Sequence, residues 1–149
     1  MTPRKSISLL IAEDDEDDRM LTRKAFENNN LISQIMFVSN GEELMNYLHR
    51  DGIYADQELY PWPDLILLDL NMPRKNGREA LGEIKQDPDL RRIPVIILTT
   101  SKEQEDIIRS YDLGVNSYIT KPVTFDGLVH VLENMSNYWF EIVQLPEAE

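Results

Sequence analysis

Carboxylates placed where strands should end are the chemistry-bearing feature of this chain. Asp69 closes the run Asp64-Leu-Ile-Leu-Leu-Asp69-Leu-Asn71-Met-Pro73, an acid delivered by an apolar segment into a proline-stopped loop. Four apolar residues in succession fit a strand covered on both faces, and in such sheets ligands bind where the carboxyl ends of the strands emerge. A second acidic feature, Glu13-Asp14-Asp15-Glu16-Asp17-Asp18, directly follows another apolar run. Acids in the first turn of a helix meet its dipole favourably, which accounts for Glu16, Asp17 and Asp18. Glu13 and Asp14 occupy the strand's carboxyl end instead, and would face Asp69 in an open sheet whose first and third strands are neighbours.

Convergent carboxylates repel one another, so they either hold protons at neutral pH or bind a cation that offsets their charge. Mg2+ suits such a set, being a hard ion that takes a few oxygen ligands and keeps several waters. A calcium loop does not: Arg19 stands where its sharp turn needs glycine, and no glutamate stands six residues further on. Lys121, between the fifth strand and Pro122, brings a cation to the same rim. Thr99 closes Ile96-Ile-Leu-Thr99 and brings a hydroxyl there, although it also reads as a β-branched strand residue.

The elements that position these groups are legible as alternation. Apolar β-like runs cover Ile7 to Ala12, Ile35 to Val38, Leu65 to Leu68, Val95 to Leu98 and Ser117 to Thr120, and five stretches of helical pattern separate and follow them. Asn40-Gly-Glu-Glu43, Asn76-Gly-Arg-Glu79 and Ser101-Lys-Glu-Gln104 read as helix starts, Asp87-Pro88 closes the third helix, and Gly114 is placed as a C-cap after the fourth. Strands alternating with helices imply a parallel sheet covered on both faces, a doubly wound α/β fold.

With 149 residues and no compositional break, one domain is expected over 1–149, with a C-terminal extension at about 136–149. The net charge of −12 repels phosphate backbones and anionic lipid, arguing against nucleic-acid or membrane-surface partners. No apolar stretch approaches the ~20 residues that cross a bilayer. The absence of cysteine excludes disulfides and thiolate chemistry and permits a reducing, cytoplasmic location.

Two segments depart from the rhythm. Residues 51–63 form a long connection carrying Tyr54, Tyr60 and Trp62; aromatics anchoring the loop against the second helix is the preferred explanation over a partner site. In the last helix Leu128, Leu132, Met135, Trp139 and Ile142 mark one apolar face, which Tyr138, Phe140 and Val143 broaden. That excess fits either the core or a partner chain.

Glu13-Asp14, Leu67-Leu-Asp69-x-Asn71-Met-Pro73, Leu98-Thr99 and Lys121-Pro122, in this order over residues 6 to about 135, resemble the receiver domain of two-component response regulators. The resemblance implies a flavodoxin-like sheet of order 2-1-3-4-5. It implies that Asp69 accepts a phosphoryl group from a phosphohistidine of a sensor kinase. Glu13, Asp14, Asp69 and the main-chain carbonyl of Asn71 would then serve Mg2+, with Mn2+ an alternative. Lys121 and Thr99 would contact the phosphoryl group, and Tyr118 would be the switch aromatic that turns inward as Thr99 moves.

The loop before Asp64 and the ending Tyr138-Trp139-Phe140-Glu141-Ile142-Val143 look similar to the small regulators paired with cyanobacterial phytochromes. That likeness implies a phytochrome-type kinase as partner and a homodimer involving Tyr138, Trp139 and Phe140. Only Glu141 to Glu149 follow the fifth helix, so output through protein contact is expected.

Two other functions use the same residues. An aspartyl phosphohydrolase would need an acid two residues after its nucleophile, where this chain has Asn71, which cannot transfer the proton. A dimerising binding module with vestigial phosphorylation is the other. With these as alternatives, the resemblance implies a phosphoacceptor switch, not an enzyme turning over a substrate, that assists its own phosphorylation and dephosphorylation.

Overall fold

Five parallel strands form one sheet in the order β2-β1-β3-β4-β5: β1 (Ile7–Ala12), β2 (Ile32–Val38), β3 (Leu65–Asp69), β4 (Val95–Thr99) and β5 (Ser117–Thr120). Among the described residues, three helices, α1 (Glu16–Phe26), α2 (Gly41–Leu48) and α3 (Gly77–Gln86), alternate with the first four strands. The structure is a computed structural model that describes residues 7–26, 32–69, 77–99, 117–120, 126, 127, 130 and 134. Asp126, Gly127, His130 and Asn134 have helical backbone, at the place expected for the last helix. The fourth helix, the signals at Asn76, Ser101 and Gly114, and residues Asn71, Lys121, Tyr138, Trp139 and Phe140 lie outside the described residues.

Strand alternation explains why the central runs are apolar throughout. Ile7, Leu9 and Ile11 of β1, Leu65 and Leu67 of β3, and Ile96 and Leu98 of β4 pack with Phe26 and Leu21 of α1 on one face. Their neighbours Leu10, Ala12, Ile66, Leu68, Val95 and Ile97 pack on the other face with Leu44, Met45, Tyr47 and Leu48 of α2 and Ala80, Leu81 and Ile84 of α3. All five residues of β3 are buried, as a strand covered on both sides requires.

β2 begins at Ile32, earlier than the expected Ile35. Ser33 and Gln34 interrupt the apolar pattern, but β2 lies at the sheet's edge, where residues 34–37 are only half-buried and polar side chains are tolerated. Asp69 and Thr99 extend β3 and β4 one residue beyond their apolar runs.

The helix signals act through specific bonds. The Asn40 side chain accepts the Glu43 N–H at 2.8 Å, capping α2. Glu43 returns its carboxylate to the Ser39 N–H at 3.1 Å, one residue before the cap. α3 ends at Gln86, after which the Asp87 carboxylate takes the Asp89 N–H at 2.8 Å and starts a new turn. Among the described residues no helix is long and apolar enough to cross a membrane.

The long connection is packed, as preferred from the sequence. The chain leaves α2 through left-handed backbone at Arg50 (φ 61°) and Gly52 (φ 59°) into a 3-10 helix at Gly52–Ala55. Glycine adopts that conformation freely, whereas arginine does so at a cost of about 1–2 kcal/mol. Arg50 is held there by contacts: its guanidinium lies 5.8 Å from the Tyr47 ring and 5.7 Å from Trp62, and it donates to the Tyr60 carbonyl. Tyr54 and Tyr60 meet edge to face at 4.9 Å between centroids, and both approach Tyr47. The Tyr47 hydroxyl donates to the Pro61 carbonyl at 2.6 Å. Burial pushes the Tyr47 phenol up to about 12 and raises Tyr54, with the Glu43 charge adding to the latter.

Candidate functional site

The order of the sheet reverses between β1 and β3, where the first two crossovers diverge, and there the carboxyl ends of both strands emerge. Register brings the acids together. Ala12 pairs with Leu68, so the next residues along each chain are Glu13 and Asp69. A carboxylate oxygen from each of Glu13, Asp14 and Asp69 lies within 4.8 Å of the others. Glu13 and Asp69 are 2% and 4% exposed, whereas Asp14 is open to solvent.

This donor set fits a hard divalent cation. Oxygens spread over 4.8 Å span little more than two Mg–O bonds of about 2.1 Å placed end to end. All three donors are carboxylates, the preferred oxygen ligands of Mg2+ and Mn2+. The exposure of Asp14 leaves a side on which an ion would keep waters.

The turn that presents these acids is built from its own sequence. The Glu13 N–H donates to the Val38 carbonyl at 2.9 Å, carrying the β1–β2 ladder one step further. The Asp15 N–H donates to Glu13 Oε2 at 3.3 Å, and Asp15 Oδ1 accepts the Asp18 N–H at 3.0 Å. Asp15 is thus the N-cap of α1, and Glu16, Asp17 and Asp18 occupy its first turn as expected. Sequence reasoning left Asp15 without a role because nothing separates it from its acidic neighbours until the helix boundary is known.

In the sequence Arg19 bears only on the calcium loop, which it excludes. In the structure its Nε donates to the Glu13 carbonyl at 2.6 Å and its Nη2 to Ser39 Oγ at 2.6 Å. No spacing rule finds such a contact, since a long side chain on the first turns of a helix usually reaches solvent.

Of the remaining candidate residues, Thr99 and Tyr118 are placed by backbone alone. Asp69 pairs with Leu98, so Thr99 follows its partner directly; Thr99 pairs with Thr120, the residue before Lys121. Tyr118 pairs with Ile97.

Comparison with known proteins agrees with this geometry. The response regulator receiver domain model matches residues 9–133. The response regulator Rcp1 of Synechocystis sp. (strain ATCC 27184 / PCC 6803 / Kazusa) is 41% identical over 140 residues, covering 94% of this chain and 93% of that protein. The crystal structure of the phosphorylated cyanobacterial phytochrome response regulator RcpA superposes with a TM-score of 0.88 at 42% identity, over 95% of this chain and 99% of that one. The Mn2+-bound form of Rcp1 gives 0.85 at 41% identity, with the same coverage. With its sheet order, its acidic triad at the switch point and a match over most of its length, this chain belongs to the family of response regulator receiver domains.

Proposed function

We propose that Asp69 accepts a phosphoryl group from a phosphohistidine of a sensor kinase, and that the resulting acyl phosphate is the protein's signal. The observation that carries this is the gathering of Glu13, Asp14 and Asp69 within 4.8 Å at the sheet's switch point in a receiver chain. The Asp69 carboxylate attacks phosphorus, an O–P bond forms, the P–N bond breaks, and its electron pair leaves with the imidazole. A nucleophile that is already anionic needs no general base, so the protein's task is positioning and charge compensation.

Asp14, Asp69 and the Asn71 carbonyl are the ligands proposed for Mg2+ or Mn2+, with Glu13 beside them. When bound, the cation neutralises charge that gathers between carboxylates and phosphoryl oxygens. Lys121 adds a second positive charge, and Thr99 donates to a phosphoryl oxygen. Movement of Thr99, followed by Tyr118, carries the change into the loop that follows β4. The same groups assist hydrolysis of the acyl phosphate.

Relatives described as phytochrome response regulators support a phytochrome-type kinase as the donor in a cytoplasmic pathway. The apolar ending supports self-association through Tyr138, Trp139 and Phe140.

The test is incubation with acetyl phosphate and Mg2+, read by intact mass. One phosphoryl group should be gained by the unmutated protein and none by Asp69→Asn. An unchanged mass, under conditions that label a control receiver, would refute the proposal. Phosphotransfer from a panel of sensor kinases then identifies the donor, and sedimentation before and after phosphorylation reads the dimer.

A further inference from the structure

We infer that Arg19 is a positioning residue for the cation site, fixing the main chain that presents Glu13 and Asp14 by bridging it to the turn between β2 and α2. This rests on the metal-dependent phosphoacceptor reading above. The peptide joining Glu13 to Asp14 is planar, so whatever holds its carbonyl also sets where the Asp14 Cα lies. That carbonyl accepts from Arg19 Nε at 2.6 Å. The preceding peptide is held by the Glu13 N–H on Val38. The following residue is held by the Asp15 N–H on Glu13 Oε2, by the Asp15 cap on Asp18, and by the Arg19 N–H on the Asp15 carbonyl at 3.0 Å. Asp14, exposed and at the centre of this turn, therefore stands on a main chain whose position is set from both sides.

The second arm of the guanidinium gives the clamp its anchor. Arg19 Nη2 donates to Ser39 Oγ, and the Ser39 N–H is itself taken by Glu43 in the capped first turn of α2. Two nitrogens of one rigid fork thus join two loops, which a lysine ammonium cannot reproduce.

Two simpler explanations make different predictions. Arg19 also lies 5.3 Å from the centroid of the Phe37 ring, so it could act by stacking alone. Arg23 lies 5.1 Å from the same centroid and serves as the control for that. If Arg19 acted only as a charge, removing a cation beside three acids would tighten metal binding.

The deciding experiment titrates Mn2+ into the protein, with free ion read by electron paramagnetic resonance and thermal unfolding in EDTA measured alongside. Arg19→Ala should weaken binding about tenfold, the scale of losses on removing groups that orient metal ligands. Arg19→Lys should fall between alanine and the unmutated protein, Ser39→Ala should show a smaller loss of the same sign, and Arg23→Ala should bind normally. Mn2+ affinity in Arg19→Ala equal to or tighter than that of the unmutated protein overturns the inference; if that variant does not fold, Arg19→Lys decides by the same criterion. Failure of the underlying reading is distinct: the unmutated protein would then bind no more Mn2+ than Asp14→Asn.

Discussion

β3 begins after one buried aspartate and ends on another, and the two do opposite work. Asp64 is 8% exposed; its carboxylate accepts the Ser8 N–H at 2.9 Å while its own N–H donates to the Ser8 carbonyl at 2.8 Å. That reciprocal pair fastens the amino-terminal end of β3 to β1, where the β1–β2 register shifts between Ile7 and Ser8. Asp69, 4% exposed at the other end, sits among carboxylates. Burial and residue type are therefore the same at both ends, and only the neighbours differ. A buried acid facing an N–H donor serves structure, whereas a buried acid facing other acids must hold a proton or meet a cation, a demand that folding alone does not set.

The two ends of β3 should separate under mutation. Asp69→Asn should lose all labelling by acetyl phosphate, whereas Asp64→Ala, if it folds, should retain it; loss of labelling in a folded Asp64→Ala would show that the two ends are not separable. Divalent cation should be the next largest effect. Saturating the site at a hundredfold excess over Kd stabilises the folded state by about 2.7 kcal/mol, a rise in Tm of roughly 5 to 10 °C at this size. Calorimetry should find that shift in the unmutated protein and in Asp64→Ala, and should find it missing in Asp14→Asn.

Removing the Asp64 carboxylate leaves the Ser8 N–H without its acceptor and should cost about 2 kcal/mol in urea unfolding. The smallest effect concerns the loop ahead of Asp64. Tyr47→Phe removes the bond to Pro61 and should cost about 1 kcal/mol. The Tyr47 phenol holds its proton up to about 12 in the folded protein, against about 10 in an unfolded chain. The associated stability is complete below pH 10 and is lost as pH rises towards 12, because the unfolded chain ionises first. Alkaline unfolding of Tyr47→Phe should be less steep over that interval.

The central strands are legible because burial on both faces demands continuous apolar runs, and the bounds of Ile7–Ala12 and Ser117–Thr120 coincide with those expected from the sequence. β2 was read short because an edge strand tolerates Ser33 and Gln34. Glu13, Asp14 and Asp69 could be singled out since strand ends converge in a parallel sheet, and register then brings them together. The roles of Arg19 and Asp15 are not legible in the sequence, for different reasons. The first acts through side-chain reach, which has no periodicity, and the second is a cap hidden among identical charges. The Asp64 to Ser8 pairing spans 56 positions and has no local signature at all.

The aromatic tether of residues 51–63 bears on how such a chain diversifies. Tyr47, Tyr54, Tyr60 and Arg50 secure the two sides of the connection, while Asp56, Gln57 and Glu58 at its tip are exposed. Doubling the length of a flexible loop costs only about 0.6 kcal/mol in closure entropy. The tip is accordingly a place where residues can be inserted with β3 undisturbed, a permissive address for a tag or a fluorophore at the end of the sheet opposite the acidic cluster.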